Sequence, residues 1–435
     1  MARFLIVTMP VPGHVAPFAP VVRRLTDAGH EVVWYTSHHY QKAVERTGAV
    51  LAPLRSALDF GDGEFDVHFP ERQKHKGLAQ VRFDFKHAFI DSAEGMLKDL
   101  REICAEFRPD AVVTDPTVVA GKILSLQDGI PWAMLNITVA AYPGADVAPF
   151  GLGLPPDASP LGRLRNRALN FLSDRVIFGD VHRYYYAKAR ANGWPLFPFR
   201  MDPSPYLTLQ PSVPEFEYPR ADLPPQVHFI GPLLPESPAV FEKAEWWDEV
   251  AGSRPDVRPV VLVTQGTVAM RLNELLLPTL EALRDEDVLV VAATGGAGAA
   301  DLQAMQGGRP LPGNARVVPF VPFAALMPHV GAFVTNGGYG GVTIALANGV
   351  PVVAGGTTED KMEVGGRLAY SGAGINLRTA TPAPEKVRAA VRAVLGEPSY
   401  RASARRIQES MARQDGPANA VRLLERLAAT GRPVS

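Results

Sequence analysis

His14 and Asp115 are the residues whose types and positions best suit proton transfer. His14 is the only ionisable residue in the loop "PVPGHVAP" (10–17), which follows the apolar run "RFLIVTM" (3–9). Asp115 ends a second apolar run, "DAVVTD" (110–115). If both runs are parallel strands, they end at one edge of a sheet, where the carboxylate would orient an imidazole and support its charged form. Taken singly, the histidine could be structural and the aspartate, before Pro116, a turn former.

The segment "NGGYGG" (336–341) is a second candidate site. It lies between the apolar run "AFVT" (332–335) and a helix of small residues, and four of its six residues are glycine: Gly337, Gly338, Gly340 and Gly341. Glycines let backbone N–H groups approach an anion, and a helix N-terminus adds a partial positive charge. A diphosphate would suit this site, and a tight turn with close helix–sheet packing is the alternative. The segment lacks the Gly-Lys-Ser/Thr of a P-loop.

Three further segments follow apolar runs in the same half of the chain. "TQGT" (264–267) places Gly266 and Thr267 in a turn, with a hydroxyl available for a phosphate. "VVPFVPFAALMPH" (317–329) places Phe320 and Phe323 where an aromatic could stack on a nucleobase while the backbone of Val321 pairs with the base edge. "TTEDK" (357–361) leaves acids and a lysine at a strand end. An ordinary turn, core aromatics and a solvated loop are the respective alternatives.

The alternation of apolar runs with helical stretches predicts an α/β fold of two doubly wound, Rossmann-like parallel-sheet domains with an interdomain cleft. At 435 residues the chain is too long for one ordinary core. We predict one domain over 1–210, a linker over 211–258, a second domain over 259–415 and a C-terminal helix over 416–435. Ligands of such sheets lie beyond the carboxyl ends of the strands.

Composition excludes several classes of function. The net charge of −1 argues against nucleic acid as a partner. The single cysteine, Cys104, cannot form an intramolecular disulfide and fits a cytoplasmic location. No span is long enough for an integral membrane segment. We predict no metal site, because "DED" (285–287) precedes its strand and "DGEFD" (62–66) lacks the glycine and glutamate of a calcium loop.

Two long segments carry a resemblance to a known family. "PVPGHVAPFAPVVRRLTDAGHEVVWYTS" and "VVPFVPFAALMPHVGAFVTNGGYGGVTIALANGVPVVAGGTTEDK" resemble the nucleotide-sugar-dependent glycosyltransferases that decorate small lipophilic molecules. The bacterial macrolide and antibiotic enzymes, relatives of the plant and animal UDP-glycosyltransferases, are the most similar set. Order and spacing agree from about residue 3 to 430. The resemblance implies the GT-B fold, with acceptor in the first domain, donor in the second, and a final helix that crosses back.

The resemblance also implies roles for individual residues. His14 would be the catalytic base and Asp115 its partner. The donor site would comprise the base-stacking Phe320, the backbone of Val321, the phosphate-binding Gly266, Thr267, Asn336, Gly337, Gly338, Gly340 and Gly341, and Asp360 for the donor sugar. The family usually has His at position 336, Ser or Thr at 341 and Gln at 361, where this chain has Asn336, Gly341 and Lys361. Lys361 would restore positive charge near the diphosphate, or it is a surface lysine paired with Glu359.

The predicted reaction is metal-independent, inverting transfer of a sugar from a UDP- or dTDP-sugar to a hydroxyl of a small apolar, natural-product acceptor, without a cofactor. Aromatic residues in first-domain loops could line the acceptor pocket or belong to the core: Phe60, Phe65, Phe69, Phe83, Phe85, Phe89, Tyr142 and Phe150. A non-catalytic nucleotide-sugar-binding or auxiliary protein is one alternative, kept open by the altered donor loop. A nicotinamide-dependent oxidoreductase is another, but strand one leads to "PVPGH", and "GGAGAAD" (295–301) lacks the third glycine of a dinucleotide-binding loop.

Overall fold

Two parallel sheets organise the computed structural model, which describes residues 1–63, 65–235, 244–251, 258–266 and 271–435. The first has the order β3-β2-β1-β4-β5-β6-β7, with strands Arg3–Val7 (β1), Glu31–Thr36 (β2), Val50–Pro53 (β3), Ala111–Thr114 (β4), Trp132–Leu135 (β5), Leu207–Gln210 (β6) and Val227–Phe229 (β7). The second has the order β10-β9-β8-β11-β12-β13, with strands Val260–Thr264 (β8), Leu289–Ala293 (β9), Ala315–Val318 (β10), Ala332–Thr335 (β11), Val352–Ala354 (β12) and Gly374–Asn376 (β13). The predicted fold class is confirmed.

Helices connect the strands and cover both faces of each sheet. In the first half they are Pro12–Val15 (α1), Ala19–Asp27 (α2), Gln41–Glu45 (α3), Phe65–His68 (α4), Leu78–Asp84 (α5), Ser92–Phe107 (α6), Val119–Asp128 (α7), Pro160–Leu172 (α8) and Gly179–Asn192 (α9). The second half has Trp247–Ala251 (α10), Leu276–Ala282 (α11), Ala299–Met305 (α12), Phe323–Leu326 (α13), Tyr339–Ala347 (α14), Lys361–Ser371 (α15), Pro384–Gly396 (α16), Pro398–Ala412 (α17) and Gly416–Thr430 (α18). Segments Phe85–Ile90 and Ser173–Ile177 are π-helical.

The apolar runs become central strands because both of their faces are buried. In β1, Leu5 and Val7 pack toward α6 and α7, whereas Phe4 and Ile6 pack toward α2 and α18. A strand covered by helices on both faces has a continuous apolar sequence rather than alternating apolar and polar residues. The described residues contain no helix that could span a membrane.

The strand orders place a switch point in each sheet. The order reverses between β1 and β4 in the first sheet and between β8 and β11 in the second. The crevice outside such a point, at the carboxyl ends of the strands, is where open α/β sheets bind ligands. His14 and Asp115 follow β1 and β4, and the two glycine segments follow β8 and β11. His14, Asp115 and the two glycine segments therefore lie at the two switch points.

The C-terminal helix α18 packs on the first sheet rather than on the second. Its Leu424 and Leu427 are buried against Phe4 and Ile6, and Glu425 bonds the ring of His30 at 2.9 Å. Asp415 caps the helix by accepting a hydrogen bond from Ala418 N at 3.0 Å. The first sheet also extends past residue 210, because β7 lies within the stretch predicted as linker.

Candidate functional site

His14 and Asp115 meet at the switch point of the first sheet. Nδ1 of His14 lies 3.3 Å from Oδ2 of Asp115, and the side chains are 16% and 0% exposed. Asp115 also accepts a hydrogen bond from Met9 N at 2.8 Å. Burial alone would raise the pKa of Asp115, but His14, Thr117 and the Met9 N–H outweigh it and hold that pKa below its usual range. The carboxylate is therefore a fixed negative charge behind the imidazole.

Thr117 completes this pair and was not predicted from the sequence. Its hydroxyl donates to Oδ1 of Asp115 and its N–H bonds the same oxygen at 2.8 Å, while Oγ1 lies 3.3 Å from His14 Nδ1. Since the hydroxyl proton is committed to Asp115, both oxygens facing Nδ1 are acceptors. The proton of the neutral ring therefore sits on Nδ1, which leaves Nε2 as the basic nitrogen. The sequence signal was the Asp-Pro-Thr order, which favours an Asx turn.

The four glycines of 336–341 differ in what a side chain at each position would meet. Gly337 has φ of +89°, a conformation that side chains rarely adopt. A Cβ at Gly341 would touch the ring of Phe333 at 3.4 Å, so this glycine allows close packing of α14 on β11. A Cβ at Gly340 would meet nothing within 4 Å, and one at Gly338 only Asn336 Oδ1 at 3.7 Å. The first turn of α14 therefore opens onto free space at Gly338 and Gly340.

Asn336 joins the two glycine turns of the second sheet. Its amide nitrogen donates to the carbonyl of Gln265, and its Oδ1 accepts from Gly338 N at 3.3 Å. Gly266 has φ of +93°, and a Cβ there would come within 2.6 Å of the Asn336 amide. The side chain of Asn336 is thus used to hold the turns after β8 and β11 together. Thr267 lies outside the described residues.

Lys361 lies beside the glycine turn and is buried. Its Nζ pairs with Glu359 and lies 3.2 Å from Thr358 Oγ1. A Cβ at Gly356 would lie 2.6 Å from its Cδ, and one at Gly337 would lie 3.8 Å from its Cβ. The predicted alternative, a surface lysine paired with Glu359, is right about the pairing and wrong about the surface, because Lys361 is only 5% exposed.

The predicted base-binding residues differ in exposure. Phe320 is 74% exposed, whereas Val321 and Phe323 pack against the core, with Phe323 edge-on to Phe333 at 5.8 Å. An exposed phenyl ring beyond the end of β10 leaves one flat face available to a planar ligand. The sequence alternative of core aromatics therefore holds for Phe323 and not for Phe320.

The cleft edges of the two domains face each other. Thr138, beyond β5, donates to the carboxylate of Asp360 at the start of α15. Tyr339, at the start of α14, donates to the carbonyl of Pro211, beyond β6, at 2.7 Å. Both contacts join the carboxyl edge of the first sheet to that of the second. Because the strands are parallel, His14 and Asp115 lie along the same carboxyl edge of the first sheet. The pKa of Asp360 is raised above its usual range, chiefly because its carboxyl group is buried.

A buried ionic network fixes this arrangement and was also missed. Arg367 of α15 bonds Glu217 at 2.6 Å, Glu363 at 2.9 Å and the Ala140 carbonyl at 3.0 Å, and lies over the ring of Tyr218. Burial alone would lower the pKa of Arg367, but the two carboxylates outweigh it and raise it. A buried charge is tolerated only when it is paired. Glu363 and Arg367 are four residues apart on one helix, but Glu217 is 150 residues from Arg367, so no local pattern in the sequence links the three.

Glu363 extends the network to the loop after β5. Its Oε1 accepts hydrogen bonds from Gly151 N at 3.0 Å and Gly153 N at 2.9 Å. A Cβ at Gly153 would come within 2.3 Å of the Met362 carbonyl, so this glycine permits the two domains to touch. The loop beside the cleft is thereby held by the helix that begins with Lys361.

Of the eight aromatic residues predicted as acceptor-pocket or core candidates, three are buried and five are partly buried: Phe65, Phe83, Phe85, Phe89 and Phe150. Phe60, Phe69 and Tyr142 are buried in the core of the first domain. Phe89 is partly buried, and its ring centroid lies 6.4 Å from that of His14. Phe85 stacks near Phe89 at 6.0 Å. An apolar surface therefore adjoins the imidazole on the π-helical segment.

Comparison with known proteins gives consistent results across the chain. Residues 280–427 match the family described as erythromycin biosynthesis protein CIII-like, C-terminal domain. The chain is 43% identical to 4'-demethylrebeccamycin synthase of Lentzea aerocolonigenes, over 98% of this chain and 99% of that protein. It is 34% identical to UDP-glycosyltransferase 2 of Phaeomoniella chlamydospora, over 91% of this chain and 89% of that protein.

Solved structures share the fold over the whole length. The calicheamicin glycosyltransferase CalG4 matches with a TM-score of 0.75 and 24% identity, covering 100% of both chains. The spinosyn rhamnosyltransferase SpnG complexed with thymidine diphosphate matches with a TM-score of 0.68 and 22% identity, covering 97% of this chain and 100% of that one. The chain belongs to the nucleotide-sugar-dependent glycosyltransferases, the family of the UDP-glycosyltransferases and the bacterial macrolide glycosyltransferases, and it is a glycosyltransferase.

Proposed function

We propose that this glycosyltransferase moves a sugar from a UDP- or dTDP-sugar to a hydroxyl of a small lipophilic acceptor, with inversion, without a metal ion and with His14 as general base. Relatives named for antibiotic products and for UDP-sugars support the substrate classes, and SpnG holds thymidine diphosphate. The observation that carries the proposal is the His14–Asp115 pair at one switch point, on the sheet edge that faces the glycine turns at the other.

The acceptor hydroxyl is a poor nucleophile until its proton is removed. Nε2 of His14 would take that proton as the oxygen attacks the anomeric carbon, and Asp115 would stabilise the imidazolium that forms. The bond from the anomeric carbon to the diphosphate oxygen breaks, and the electron pair leaves with the diphosphate. Attack on the face opposite the leaving group inverts the anomeric centre, which passes through an oxocarbenium-like state.

The leaving diphosphate gathers negative charge, and the second domain offers positive groups for it. The N–H groups of the first turn of α14 have no partners within the helix, and Gly338 and Gly340 leave room for phosphate oxygens. The Cβ of Lys361 lies near Gly337, next to this turn, and its ammonium is paired with Glu359. These groups would stabilise the leaving group electrostatically, so we expect turnover to persist in EDTA. We expect Lys361→Ala to weaken donor binding in a titration, and unchanged binding would remove Lys361 from this role.

His14→Ala tests the proposed base. We expect turnover to fall at least about a hundredfold, while the affinity for the nucleotide sugar stays close to that of wild type, because the imidazole acts on the acceptor. His38→Ala is the matched control, since His38 is a surface histidine paired with Asp59. The measurement is product formation from a panel of UDP- and dTDP-sugars, with the anomeric configuration read by NMR. Normal turnover in His14→Ala, or retention of configuration, would contradict the mechanism.

A further inference from the structure

Helix α8 and the π-helical segment that continues it expose large apolar side chains to solvent. Five of them are 46–79% exposed: Leu161, Leu164, Phe171, Leu172 and Val176. We call these five residues the exposed apolar face. The residues turned toward the protein are small or polar, since Gly162, Asn166 and Ser173 are buried. This is the reverse of a surface helix in a globular protein, whose apolar stripe faces the core.

The reversal is fixed by hydrogen bonds on the inner side of the helix. Asn166 donates to the Ala145 carbonyl at 3.1 Å, and Asn170 donates to the Val147 carbonyl at 3.3 Å. At about 3.6 residues per turn, the four members of the exposed apolar face within α8 fall within about a third of the helix circumference. A contiguous apolar face on an otherwise well-packed chain marks an interaction surface.

The charges around the face are mostly positive. The segment 160–177 contains four arginines, Arg163, Arg165, Arg167 and Arg175, against one acid, Asp174. Asp174 is paired with Arg200 at 3.0 Å, and Arg163 is paired with Asp146 at 2.7 Å. Within the described part of the chain, Arg167 and Arg175 have no carboxylate within 4.0 Å. The apolar stripe is therefore bordered by free cations.

We propose that the exposed apolar face binds an anionic lipid surface, with its five side chains at the acyl–headgroup boundary and Arg167 and Arg175 at the lipid phosphates. An apolar stripe bordered by arginines is the pattern of interfacial helices, and anionic headgroups attract nearby cations. Pairing with a second copy is disfavoured, because a two-fold interface would bring the same arginines together.

The position of the helix relates this surface to the cleft. Its inner side holds residues 145–147, and the same loop continues to Gly151 and Gly153, which bond Glu363 of α15. A protein bound through this face would hold a cleft loop close to the layer in which a lipophilic acceptor dissolves. That consequence rests on the proposed function, whereas lipid binding itself does not.

Vesicle co-sedimentation tests the proposal with the full chain. We expect wild type to bind vesicles of phosphatidylglycerol and phosphatidylcholine more tightly than vesicles of phosphatidylcholine alone, and less tightly at high salt. The double variant Leu164→Glu with Phe171→Glu should lose at least about tenfold in vesicle affinity. Leu126→Glu is the matched control, because Leu126 is an exposed leucine on another helix, and should bind as wild type does.

A second variant separates charge from apolar contact. Arg167→Glu with Arg175→Glu should weaken binding to the anionic vesicles and leave weak binding to neutral vesicles unchanged. All substituted side chains are exposed, so melting temperatures should match wild type. The proposal is wrong if the wild-type protein does not bind anionic vesicles. In that case the exposed apolar face would be assigned to a protein partner. The proposal is also wrong if sedimentation velocity shows a wild-type dimer that Leu164→Glu with Phe171→Glu dissociates. Sugar transfer to a water-soluble acceptor, measured without vesicles, should be unchanged in these variants, which keeps this test separate from that of the proposed function.

Discussion

The two sheet edges that face the cleft are built by different means. The first edge is organised by side chains, because Asp115 and Thr117 fix the proton of the neutral His14 ring on Nδ1. At the second, the backbone is left bare, and Asn336 only ties one glycine turn to the next. A proton acceptor needs one nitrogen aimed in one direction, which requires specific partners. A diphosphate has many oxygens, and it suits several N–H groups with room around them.

The comparison requires that the two edges stay opposed, and Arg367 gives the largest expected effect on that arrangement. We expect Arg367→Met to lower the free energy of unfolding by about 3–5 kcal/mol, because Glu217 and Glu363 would remain buried without their cation. Urea unfolding measures this loss.

Arg392→Met is the control for Arg367→Met. Arg392 forms a bidentate pair with Glu286, but its side chain is 66% exposed. Solvent screens such a pair, so the expected loss is at most about 1 kcal/mol. Equal losses in the two variants would show that the interdomain network does not hold the edges together.

Two glycine substitutions test whether the edge of the second sheet depends on its bare backbone. Gly337→Ala should cost about 1–3 kcal/mol of stability, because φ is +89° at Gly337. Gly340→Ala should leave stability equal or slightly higher, because its Cβ points into open space on a helix. If the turn binds the donor, Gly340→Ala nevertheless weakens UDP- or dTDP-sugar binding, measured by calorimetry. Unchanged donor affinity in Gly340→Ala would contradict a donor-binding role for the first turn of α14.

The smallest expected effect is the loss, in acid, of the contribution that ionised Asp115 makes to the free energy of unfolding. The pKa of Asp115 is lowered in the folded chain, so the folded state binds its proton less readily than the unfolded state. Its stabilising contribution is present above the ordinary pKa of an aspartate and is lost as the pH falls through the lowered value. Asp115→Asn should therefore cost about 1 kcal/mol at neutral pH, and the difference from wild type should shrink in acid.

Unfolding of the Asp115→Asn variant at neutral and acid pH checks this sign. Asp287→Asn is the control, because the Asp287 side chain is 92% exposed and should contribute equally little at both pH values. A difference that grows in acid would contradict the assignment of Asp115 as an ionised partner of His14.

Some of the site could be predicted because its signals are local. His14 and Asp115 each follow an apolar run, and parallel strands place such ends at one edge. The assignments of Phe320, Gly266 and Asp360 to a donor remain predictions, as does any role of Thr267. Thr138, which bonds Asp360, was missed because a lone threonine beside a strand end has no pattern of its own, whereas Thr117 was missed although it follows Asp115 in an Asp-Pro-Thr turn.

The two α/β domains could be predicted from the chain alone, because burial on both faces of a strand and on one face of a helix produces characteristic periodicities in the sequence. Which groups meet across the cleft, and which face of helix α8 is exposed, depends on contacts between residues far apart in the sequence. Arg367 and Glu217 are 150 residues apart, and the direction of α8 depends on hydrogen bonds to residues 145 and 147. Periodicity shows that a helix has two unlike faces, but the partners on each side decide which one is buried.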